Sequence, residues 1–325
     1  MKLRRFGRTD MQVSELAFGG GRSGGILINA DDDTRRTAVR RALDLGINWF
    51  DTAPQYGDGK SEEALGWLLE EVPETPFVST KVRIDITSSE SLVSQVERSV
   101  TESLERLKRD KVDLLQIHSL IMPEASGRTI SADHVLHDGG MADAMEKLRD
   151  RGMTRFLGLT SLGNNKATIE VIKSGRFDSA QVYYNLINPS SAWDGVASGW
   201  SSYDGSGILA ACQKQDMAVM AIRIFAASYL ATPVRTGRES ILTANTEAET
   251  EIRNAEVVFA ALGEGFGTRA QMAVRFALSN ETVSTAIVGL SEAAHLDEAA
   301  AGADKGGLSG DAMAKLDQLY NTGFE

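Results

Sequence analysis

Four polar residues of types that move protons stand at or directly after the ends of three short apolar segments: Asp51, Tyr56, Lys81 and His118. The three segments are predicted to be β-strands. In a protein built from repeated βα units, side chains at successive strand ends converge on one mouth of the fold. A carboxylate, a phenol, an ammonium and an imidazole would then share one site. The pattern therefore predicts a proton-transfer centre.

Each of the four residues also has an ordinary structural explanation when it is taken alone. Asp51 could cap a helix, and Tyr56 could be a half-buried aromatic at the rim of a barrel. Lys81 could be a solvated strand end, and His118 a hydrogen-bonded core imidazole. Their joint placement at neighbouring strand ends favours the catalytic interpretation over four separate structural ones.

Eight apolar runs alternate with stretches of helical periodicity, as in a parallel sheet wrapped by helices. Eight such strands close most simply into a (β/α)8 barrel, an α/β fold whose usual size allows residues 1–325 to form a single domain. A doubly wound open sheet competes, but it requires a glycine-rich turn that opens directly onto a helix, which the run 19–25 lacks in the sequence. The predicted strands span residues 15–20, 48–53, 77–82, 114–119, 156–161, 180–185, 218–225 and 285–290.

Local signals add detail to this architecture. Residues 1–14 are predicted to form a hairpin around Gly7 to Asp10 that closes the barrel floor. The segments 87–90 and 268–271 have the form of capping boxes that start helices. Gly46 and Gly152 stand where helices are expected to end.

Composition weighs against polyanionic partners. Acidic residues outnumber basic ones by 45 to 34, a formal net charge of -11, whereas nucleic acids and anionic membrane surfaces attract clustered Lys and Arg. The single cysteine, Cys212, cannot form an internal disulfide, and His134 and His137 lack nearby cysteines, so no metal site is predicted. Neither a signal peptide nor a run of about 18 apolar residues is present, which predicts a cytoplasmic protein.

The sequence resembles the aldo-keto reductase family over nearly its whole length. Residues 51–57 (Asp-Thr-Ala-Pro-Gln-Tyr-Gly) and 61–66 are similar to the family's aspartate and tyrosine segment. Residues 79–81 resemble its lysine strand, and residues 113–118 its histidine strand. The resemblance implies a nicotinamide-dependent enzyme that interconverts an aldehyde, ketone or sugar with the corresponding alcohol.

The resemblance also implies roles for the four polar residues. Tyr56 is the expected general acid or base, and the positive charge of Lys81 is expected to lower the pKa of its phenol. Asp51 would keep Lys81 protonated and correctly directed. His118 would donate to, or orient, the substrate carbonyl in its neutral form.

A cofactor site follows from the same resemblance, with Gln181 expected to hold the nicotinamide carboxamide and Tyr184 to stack on its ring. Ser161 replaces an asparagine of the family, and residues 221–226 replace a Tyr-Ser-Pro-Leu-Ala segment. Arg223 in that segment could bind the pyrophosphate, an acidic substrate group or acidic neighbours. The predicted cofactor residues are Gly20, Asp51, Thr160, Ser161, Gln181, Tyr184, Arg223, Ile224, Ala226, Gly289, Ser291, His295 and Glu298.

Cofactor preference is expected to favour NAD(H) slightly over NADP(H). Family members that prefer NADPH commonly grip its 2′-phosphate with an arginine six residues after the Gly289 position, where this chain has His295. A site without a guanidinium fork loses bidentate, charge-assisted hydrogen bonds. Arg223, Arg235 or Arg238 could restore a phosphate contact.

Two alternative functions remain open at this stage. Lys81 could be the nucleophile of a Schiff-base lyase on the same barrel, or the chain could be a catalytically idle binding protein.

The segment 221–226 is closer to the sugar-dehydrogenase-like members of the family. Residues 188–205 form a long polar stretch in which Trp193 and Trp200 could either face the substrate or pack on the surface. The physiological substrate and the oligomeric state are not predicted.

Overall fold

A closed barrel of eight parallel strands forms the centre of the computed structural model, which describes residues 1–22, 24–198, 200–234 and 247–324. The order around the barrel follows the chain, so each strand pairs with the next and the last pairs with the first. The predicted (β/α)8 barrel is therefore confirmed. The barrel strands are β3 (Leu16–Gly19), β4 (Trp49–Asp51), β5 (Phe77–Val82), β6 (Val112–Ile117), β9 (Thr154–Thr160), β10 (Ser179–Tyr183), β11 (Ala218–Ile222) and β12 (Val283–Gly289).

Helices surround the barrel because each carries an apolar stripe that packs on the outward face of the strands. The longest, α4, buries Val96, Val100, Leu104 and Leu107 on one side. The helices are α1 (Ile26–Asn29), α2 (Asp32–Asp44), α3 (Lys60–Glu70), α4 (Leu92–Leu107), α5 (Ala132–Leu136), α6 (Met141–Asp150), α7 (Asn165–Lys173), α8 (Ile208–Lys214), α9 (Ala248–Leu262), α10 (Arg269–Ser279), α11 (Ala294–Asp304) and α12 (Gly310–Asn321).

The N-terminal hairpin closes the floor of the barrel, as predicted. Its strands β1 (Leu3–Arg5) and β2 (Gln12–Ser14) are antiparallel. Phe6 is fully buried at their turn and lies 4.6 Å, centroid to centroid, from Trp49 inside the barrel. Apolar side chains from four other strands complete this lower layer, among them Leu114 and Met220. The floor is therefore dry, and any polar site must lie at the opposite, carboxyl end of the strands.

The helix-start predictions are half correct. The capping box at Thr268 and Gln271 is present and begins α10. The box predicted at residues 87–90 is wrong, because α4 begins at Leu92 and Ser91 is its cap, accepting a hydrogen bond from the Ser94 amide. Thr87 instead bonds the carboxylate of Asp85.

Two other local features bear on the loops at the barrel ends. Gly46 and Gly152 adopt φ values of +80° and +79° directly after α2 and α6 end, as expected for terminating glycines. The glycine-rich run 19–25 does open directly onto a helix, the short α1, which the sequence did not suggest. Two short strands, β7 (Leu120–Ile121) and β8 (Thr129–Ile130), form a separate pair beside the barrel mouth. In the described ranges no helix is long and apolar enough to cross a membrane.

Candidate active site

The carboxyl ends of β4 and β5 bring Asp51 and Lys81 into a buried ion pair. The Lys81 ammonium donates to Asp51 Oδ2 at 2.6 Å, and the two residues are 1% and 4% exposed. The ammonium also donates to the Thr52 carbonyl at 2.8 Å and to the Tyr56 hydroxyl at 3.1 Å. These three bonds use all three N–H donors of the ammonium, so its position is fixed.

Tyr56 reaches the pair from the turn that follows β4. Its amide donates to the Ala53 carbonyl at 3.0 Å, which folds the turn back so that the phenol lies beside Lys81. The Lys81 nitrogen also lies 4.7 Å from the centre of the Tyr56 ring. The local sequence places the phenol and the ammonium together because Tyr56 follows β4 and Lys81 lies near the end of β5, the adjacent strand of the barrel.

His118 completes the predicted quartet at the end of β6. Its ring packs edge-on against Tyr56, with 5.8 Å between ring centres. Its Nδ1 atom lies 2.9 Å from Gln55 Oε1, and its amide donates to the Val82 carbonyl at 2.7 Å. Gln55 is a site residue that the sequence analysis missed, although it lies within the segment quoted for the family resemblance.

A second set of bonds ties Asp51 to three further strands. Its Oδ1 atom accepts from Ser79 Oγ at 2.7 Å, Gln181 Nε2 at 2.7 Å and Gln116 Nε2 at 3.2 Å. Trp49 Nε1 in turn donates to Ser79 at 3.0 Å. The carboxylate is therefore held from β5, β6 and β10 at once. The alternation of side chains along β5 and β6 places Ser79 and Gln116 on the same face as Lys81 and His118, a signal that could have identified both.

The electrostatic setting differs from residue to residue. Burial alone would lower the pKa of Lys81, but the facing Asp51 carboxylate and Tyr56 oxygen more than offset it, so the pKa lies above its usual value. Burial raises the pKa of Tyr56, and the opposing charge of Lys81 does not reverse this. Lys81 lowers this pKa, as expected, but by less than burial raises it, so in the protein alone the pKa of Tyr56 stays above its ordinary value. Burial, with Lys81 and Arg83 acting in the same direction, holds the pKa of His118 well below 6.5.

These directions decide between the chemical alternatives. A Schiff-base nucleophile must be a neutral amine, whereas Lys81 is a hydrogen-bonded ammonium with a raised pKa. The lyase alternative is therefore not supported. His118 is neutral near pH 7, so it can offer one ring nitrogen as a donor and the other as an acceptor.

The residues expected near a nicotinamide lie beside this centre on β9 and β10. Thr160 Oγ1 is buried without a hydrogen-bond partner, and an orphaned hydroxyl at a strand end fits a ligand amide. Ser161 donates its hydroxyl to the Gln181 carbonyl at 2.9 Å, which leaves its oxygen able to accept. On the opposite side, an added Cβ at Gly20 would lie 2.6 Å from Ser61 Oγ, so only glycine allows the backbone to pass there.

Tyr184 does not lie at the mouth of the barrel. The prediction that its ring stacks on the nicotinamide is therefore corrected. The ring is 3% exposed and stacks on Phe276 of α10, with 4.9 Å between centres. Side chains alternate along a strand, so Gln181 shares its face with Tyr183 rather than with Tyr184. Tyr183 lies inside the mouth, stacked 5.6 Å from Tyr203.

The end of β11 has an unusual backbone. Arg223, Ala226, Ala227 and Ser228 all have positive φ values between 44° and 91°. Such conformations are uncommon outside glycine and mark functional loops when they cluster. The Arg223 guanidinium lies 5.1 Å above the Tyr183 ring and forms no ion pair with any residue that the structure describes. Ile224 and Ala226 are buried beside it.

The last predicted cofactor residues lie where β12 passes into α11. Gly289 ends the strand, and Ser291 Oγ lies 3.4 Å from His295 Nδ1 in the first turn of the helix. Glu298 follows one turn later and is half-buried. Arg235 and Arg238, the alternative phosphate ligands, lie outside the described residues.

Residues 188–205, which follow β10, place Tyr203 in the site and pack Trp193 and Trp200 away from it. Trp193 and Trp200 pack edge-on at 5.2 Å and rest on Tyr320 and Phe324 near the C-terminus, so the surface-packing alternative is the correct one. Tyr203 is the residue that enters the mouth, where its hydroxyl donates to the Ser161 carbonyl at 2.5 Å.

Comparison with known proteins places these features in one family. The model of the Aldo/keto reductase family matches residues 15–321. L-galactose dehydrogenase of Arabidopsis thaliana is 28% identical over 310 residues, which cover 92% of this chain and 86% of the relative. Pyridoxal 4-dehydrogenase of Microbacterium luteolum is 26% identical over 326 residues, 88% of each chain. D-threo-aldose 1-dehydrogenase of a Pseudomonas species is 26% identical over 257 residues, 70% and 71% of the two chains.

Solved structures show the same fold. An aldo-keto reductase of Bacillus halodurans in its holo form superposes with a TM-score of 0.76 at 22% identity, covering 98% of this chain and 96% of that one. An aldo-keto reductase of Klebsiella pneumoniae in complex with NADPH gives a TM-score of 0.69 at 23% identity, covering 98% and 95%.

Proposed function

Because the chain belongs to the aldo/keto reductase family and is an NAD(P)-dependent oxidoreductase of carbonyl and alcohol pairs, we propose that its substrate is the cyclic hemiacetal of an aldose. The proposed reaction oxidises the anomeric carbon to a lactone. The observation that carries the proposal is the contact of Asp51, Lys81 and Tyr56. The buried Lys81 ammonium donates to both the Asp51 carboxylate and the Tyr56 hydroxyl.

Two of these relatives support the substrate class, because they are named dehydrogenases of L-galactose and of an aldose at position 1. The third is named for pyridoxal, which is not an aldose. Aldoses in water are mainly cyclic hemiacetals, whose anomeric hydroxyl is the group that a C1 dehydrogenase must deprotonate. The carbon that reacts thus carries one hydroxyl and one hydrogen, and the site must remove a proton from the first.

Tyr56 is proposed to accept that proton. Ionisation of the phenol inside the barrel would leave an unpaired buried charge, which is costly. Lys81, held 3.1 Å away, stabilises the phenolate that forms before it takes the proton. Asp51 keeps the ammonium directed, since its carboxylate is itself held by Ser79 and Gln181. In the direction of reduction the same phenol donates the proton to the carbonyl oxygen.

His118 is proposed to bind the substrate oxygen. In the orientation of the Gln55 amide seen here, Oε1 faces Nδ1 at 2.9 Å, so Nδ1 carries the ring proton. Nε2 is then an acceptor. The reversed amide would instead make Nε2 a donor, which suits the substrate oxygen in both directions, because the single hydrogen of the anomeric hydroxyl passes to Tyr56. Gln55 is therefore a positioning residue for both directions.

The cofactor is proposed to lie across the opposite wall of the mouth. When bound, its nicotinamide accepts or supplies the hydride. Thr160, Ser161 and Gln181 would hold the carboxamide, with Gly20 and Asp51 beside the ribose. The backbone from Arg223 to Ala226 would hold the pyrophosphate. The adenosine end would rest on Gly289, Ser291, His295 and Glu298. The absence of an arginine at position 295 supports competitive use of NADH.

A paired-substrate assay tests the proposal. Purified protein is given aldoses and, in parallel, their methyl glycosides, with NAD or NADP, and formation of reduced cofactor is followed. A methyl glycoside keeps the ring but has no anomeric hydroxyl, so we expect turnover of the free sugars only. Lactone is detected by trapping with hydroxylamine. Equal oxidation of sugar and glycoside, or activity restricted to reduction of open-chain aldehydes, would overturn the hemiacetal proposal.

A further inference from the structure

Two arginines at the His118 side of the mouth have no carboxylate partner among the residues that the structure describes. Neither Arg83 nor Arg128 forms an ion pair or a side-chain hydrogen bond there, and Arg83 Nε is buried without an acceptor. The chain carries 45 acidic residues against 34 basic ones, and arginines elsewhere, such as Arg36 and Arg176, bond two carboxylates each. A buried Nε donor without an acceptor is costly, so Arg83 and its neighbour Arg128 stand out.

The position of Arg83 follows from its strand. It stands two residues after Lys81, so alternation along the chain directs it to the same side. The segment is fixed because the amide of the next residue, Ile84, donates to the buried Ser119 hydroxyl at 3.1 Å. Arg83 itself is half-buried. The His118 amide donates to the carbonyl of Val82, the residue before Arg83, at 2.7 Å, so the Arg83 segment runs beside His118, and the charge of Arg83 contributes to the lowered pKa of His118.

Arg128 approaches from the turn before β8. The turn is closed by a bond from the Thr129 amide to the Ser126 carbonyl at 2.9 Å. It is docked on the Arg83 segment by a bond from the Ile86 amide to the Gly127 carbonyl, also 2.9 Å. Arg128 is exposed, so its guanidinium can meet a ligand that enters from solvent.

The two arginines repel each other, although the carboxylate of Asp85 is close enough to Arg128 for their charges to interact. Burial lowers the pKa of Arg83, and the positive charge of Arg128 lowers it further. Asp85 is the nearest acidic residue in sequence, but its Oδ1 accepts from the amide and hydroxyl of Thr87 at 2.9 and 2.6 Å. It forms no ion pair with either arginine. An anion placed between the arginines would relieve both the repulsion and the burial penalty.

The anion is not expected to come from the cofactor. The residues proposed to hold the cofactor lie mainly on β9 to β12 and the loops that follow them. Arg83 and Arg128 belong to the connections after β5 and β7, across the barrel from β11 and β12. Only the substrate reaches both His118 and this side of the mouth.

We propose that Arg83 and Arg128 form an anion subsite that binds a carboxylate or phosphate at the end of the substrate remote from the reacting carbon. The preferred substrate is then an acidic sugar, either a uronate or a sugar phosphate. This inference rests on the proposed function for the sugar part only, because the subsite would select acidic open-chain aldehydes equally well.

The test compares substrates that differ only in the anionic group. Glucose, glucuronate and glucose 6-phosphate form one series, and galactose, galacturonate and galactose 6-phosphate a second. Butanal and succinic semialdehyde form a third series, which is followed by reduction. We expect at least one acidic member to exceed its neutral partner about tenfold or more in kcat/KM. A larger effect for the uronates assigns the subsite to carboxylates, and a larger effect for the phosphates assigns it to phosphate.

Variants locate the effect. Arg83→Gln is expected to remove most of the preference through KM, with little change for the neutral substrates, and Arg128→Gln to reduce it less because that residue is more exposed. Arg109→Gln is the matched control, since Arg109 is also half-buried without an ion pair in the described structure but lies at the far, N-terminal end of β6. It should leave the preference intact. Calorimetric titration of the cofactor-loaded protein with glucuronate and glucose 6-phosphate gives the same comparison without turnover.

The outcomes separate the two proposals. Preference for succinic semialdehyde over butanal that depends on Arg83, without oxidation of any sugar, would support the subsite and overturn the hemiacetal proposal. If glucose, glucuronate and glucose 6-phosphate were oxidised with equal kcat/KM, and the three galactose compounds also with equal kcat/KM, the subsite proposal alone would be overturned. Equal loss of neutral and acidic substrates in Arg83→Gln, or no binding of either anion to the loaded protein, would also overturn it.

Discussion

The hydroxyl of Tyr56 accepts a hydrogen bond from the buried ammonium of Lys81 across 3.1 Å. Tyr56 lies in the connection after β4 and Lys81 near the end of the adjacent strand β5. The ammonium has no freedom to turn away because its other two N–H groups bond Asp51 and Thr52. A phenol in this position exchanges a proton with substrate while the neighbouring charge stays fixed. The chemistry proposed for this site depends on that contact.

Tyr56→Phe tests the proton-transfer role. The change keeps the ring that packs against His118 but removes the hydroxyl, so we expect kcat to fall by roughly 10²–10⁴, as for loss of a general acid or base. Cofactor affinity should change little. The measurement is steady-state turnover with a deuterated substrate or cofactor to show that the chemical step limits the rate. A variant that keeps more than about a third of the wild-type rate under those conditions would contradict the assignment.

Lys81→Met tests whether the phenol and the ammonium act as a unit. The single change should cost about as much as Tyr56→Phe, and the double variant little more than either alone, because each residue serves through the other. Circular dichroism and unfolding of each variant control for the loss of the Asp51 ion pair. Additive losses in the double variant would show that the two residues act separately.

The pH dependence should differ between the two directions. Burial raises the pKa of Tyr56 above its usual value of about 10, so the phenol stays protonated through neutral pH. Reduction, which needs the acid, should be flat from about pH 6 to about pH 9. Oxidation, which needs the phenolate, should rise about tenfold per pH unit over the alkaline part of that range. The lowered pKa of His118 predicts no inflection near 6.5. An inflection there that disappears in His118→Gln would contradict this account.

Most of the fold was predictable because its signals are local. Every predicted strand overlaps an observed barrel strand, since buried parallel strands are short apolar runs separated by amphipathic helices. The start of α4 was not predictable from its capping pattern, because the sequence offers more than one residue that can cap a helix. Ser91 is the cap in the structure, and Thr87 is not. The short α1 was missed because four residues are too few to show a helical period.

The site was only partly predictable, and the missing parts depend on tertiary structure. The quartet of Asp51, Tyr56, Lys81 and His118 is brought together because strand order determines which ends are neighbours. Tyr203 could not be predicted, because it reaches the mouth from a long segment whose path is set by its packing. The error at Tyr184 was avoidable, since strand alternation alone separates it from Gln181.

Tyr184→Ala should now behave as a core substitution. Removing a buried aromatic that stacks on Phe276 is expected to cost about 3–5 kcal/mol of stability, the usual range for an aromatic truncated to alanine. Tyr184→Phe is the matched control, as it keeps the stack and removes only the hydroxyl that bonds Asn280, for about 1 kcal/mol. Denaturant unfolding measures the stability, and fluorescence titration measures cofactor binding by the folded protein. If Tyr184→Ala weakened cofactor binding without lowering the stability, Tyr184 would instead be a cofactor-binding residue.

Position 295 should control the choice of cofactor. His295 lies in the first turn of α11, 3.4 Å from Ser291, and offers no guanidinium fork to a 2′-phosphate. We therefore expect kcat/KM with NADH to match or slightly exceed that with NADPH for one good substrate. His295→Arg should raise the value for NADPH about tenfold or more, because a bidentate charge-assisted pair becomes available. The kcat/KM with NADH should be little affected, and His295→Gln, which adds no charge, should leave the ratio of the NADH and NADPH values unchanged.

A wild-type preference for NADPH above tenfold would overturn this prediction. The 2′-phosphate would then have to be held by Arg223, Arg235 or Arg238. Replacing the responsible arginine by glutamine would abolish the preference.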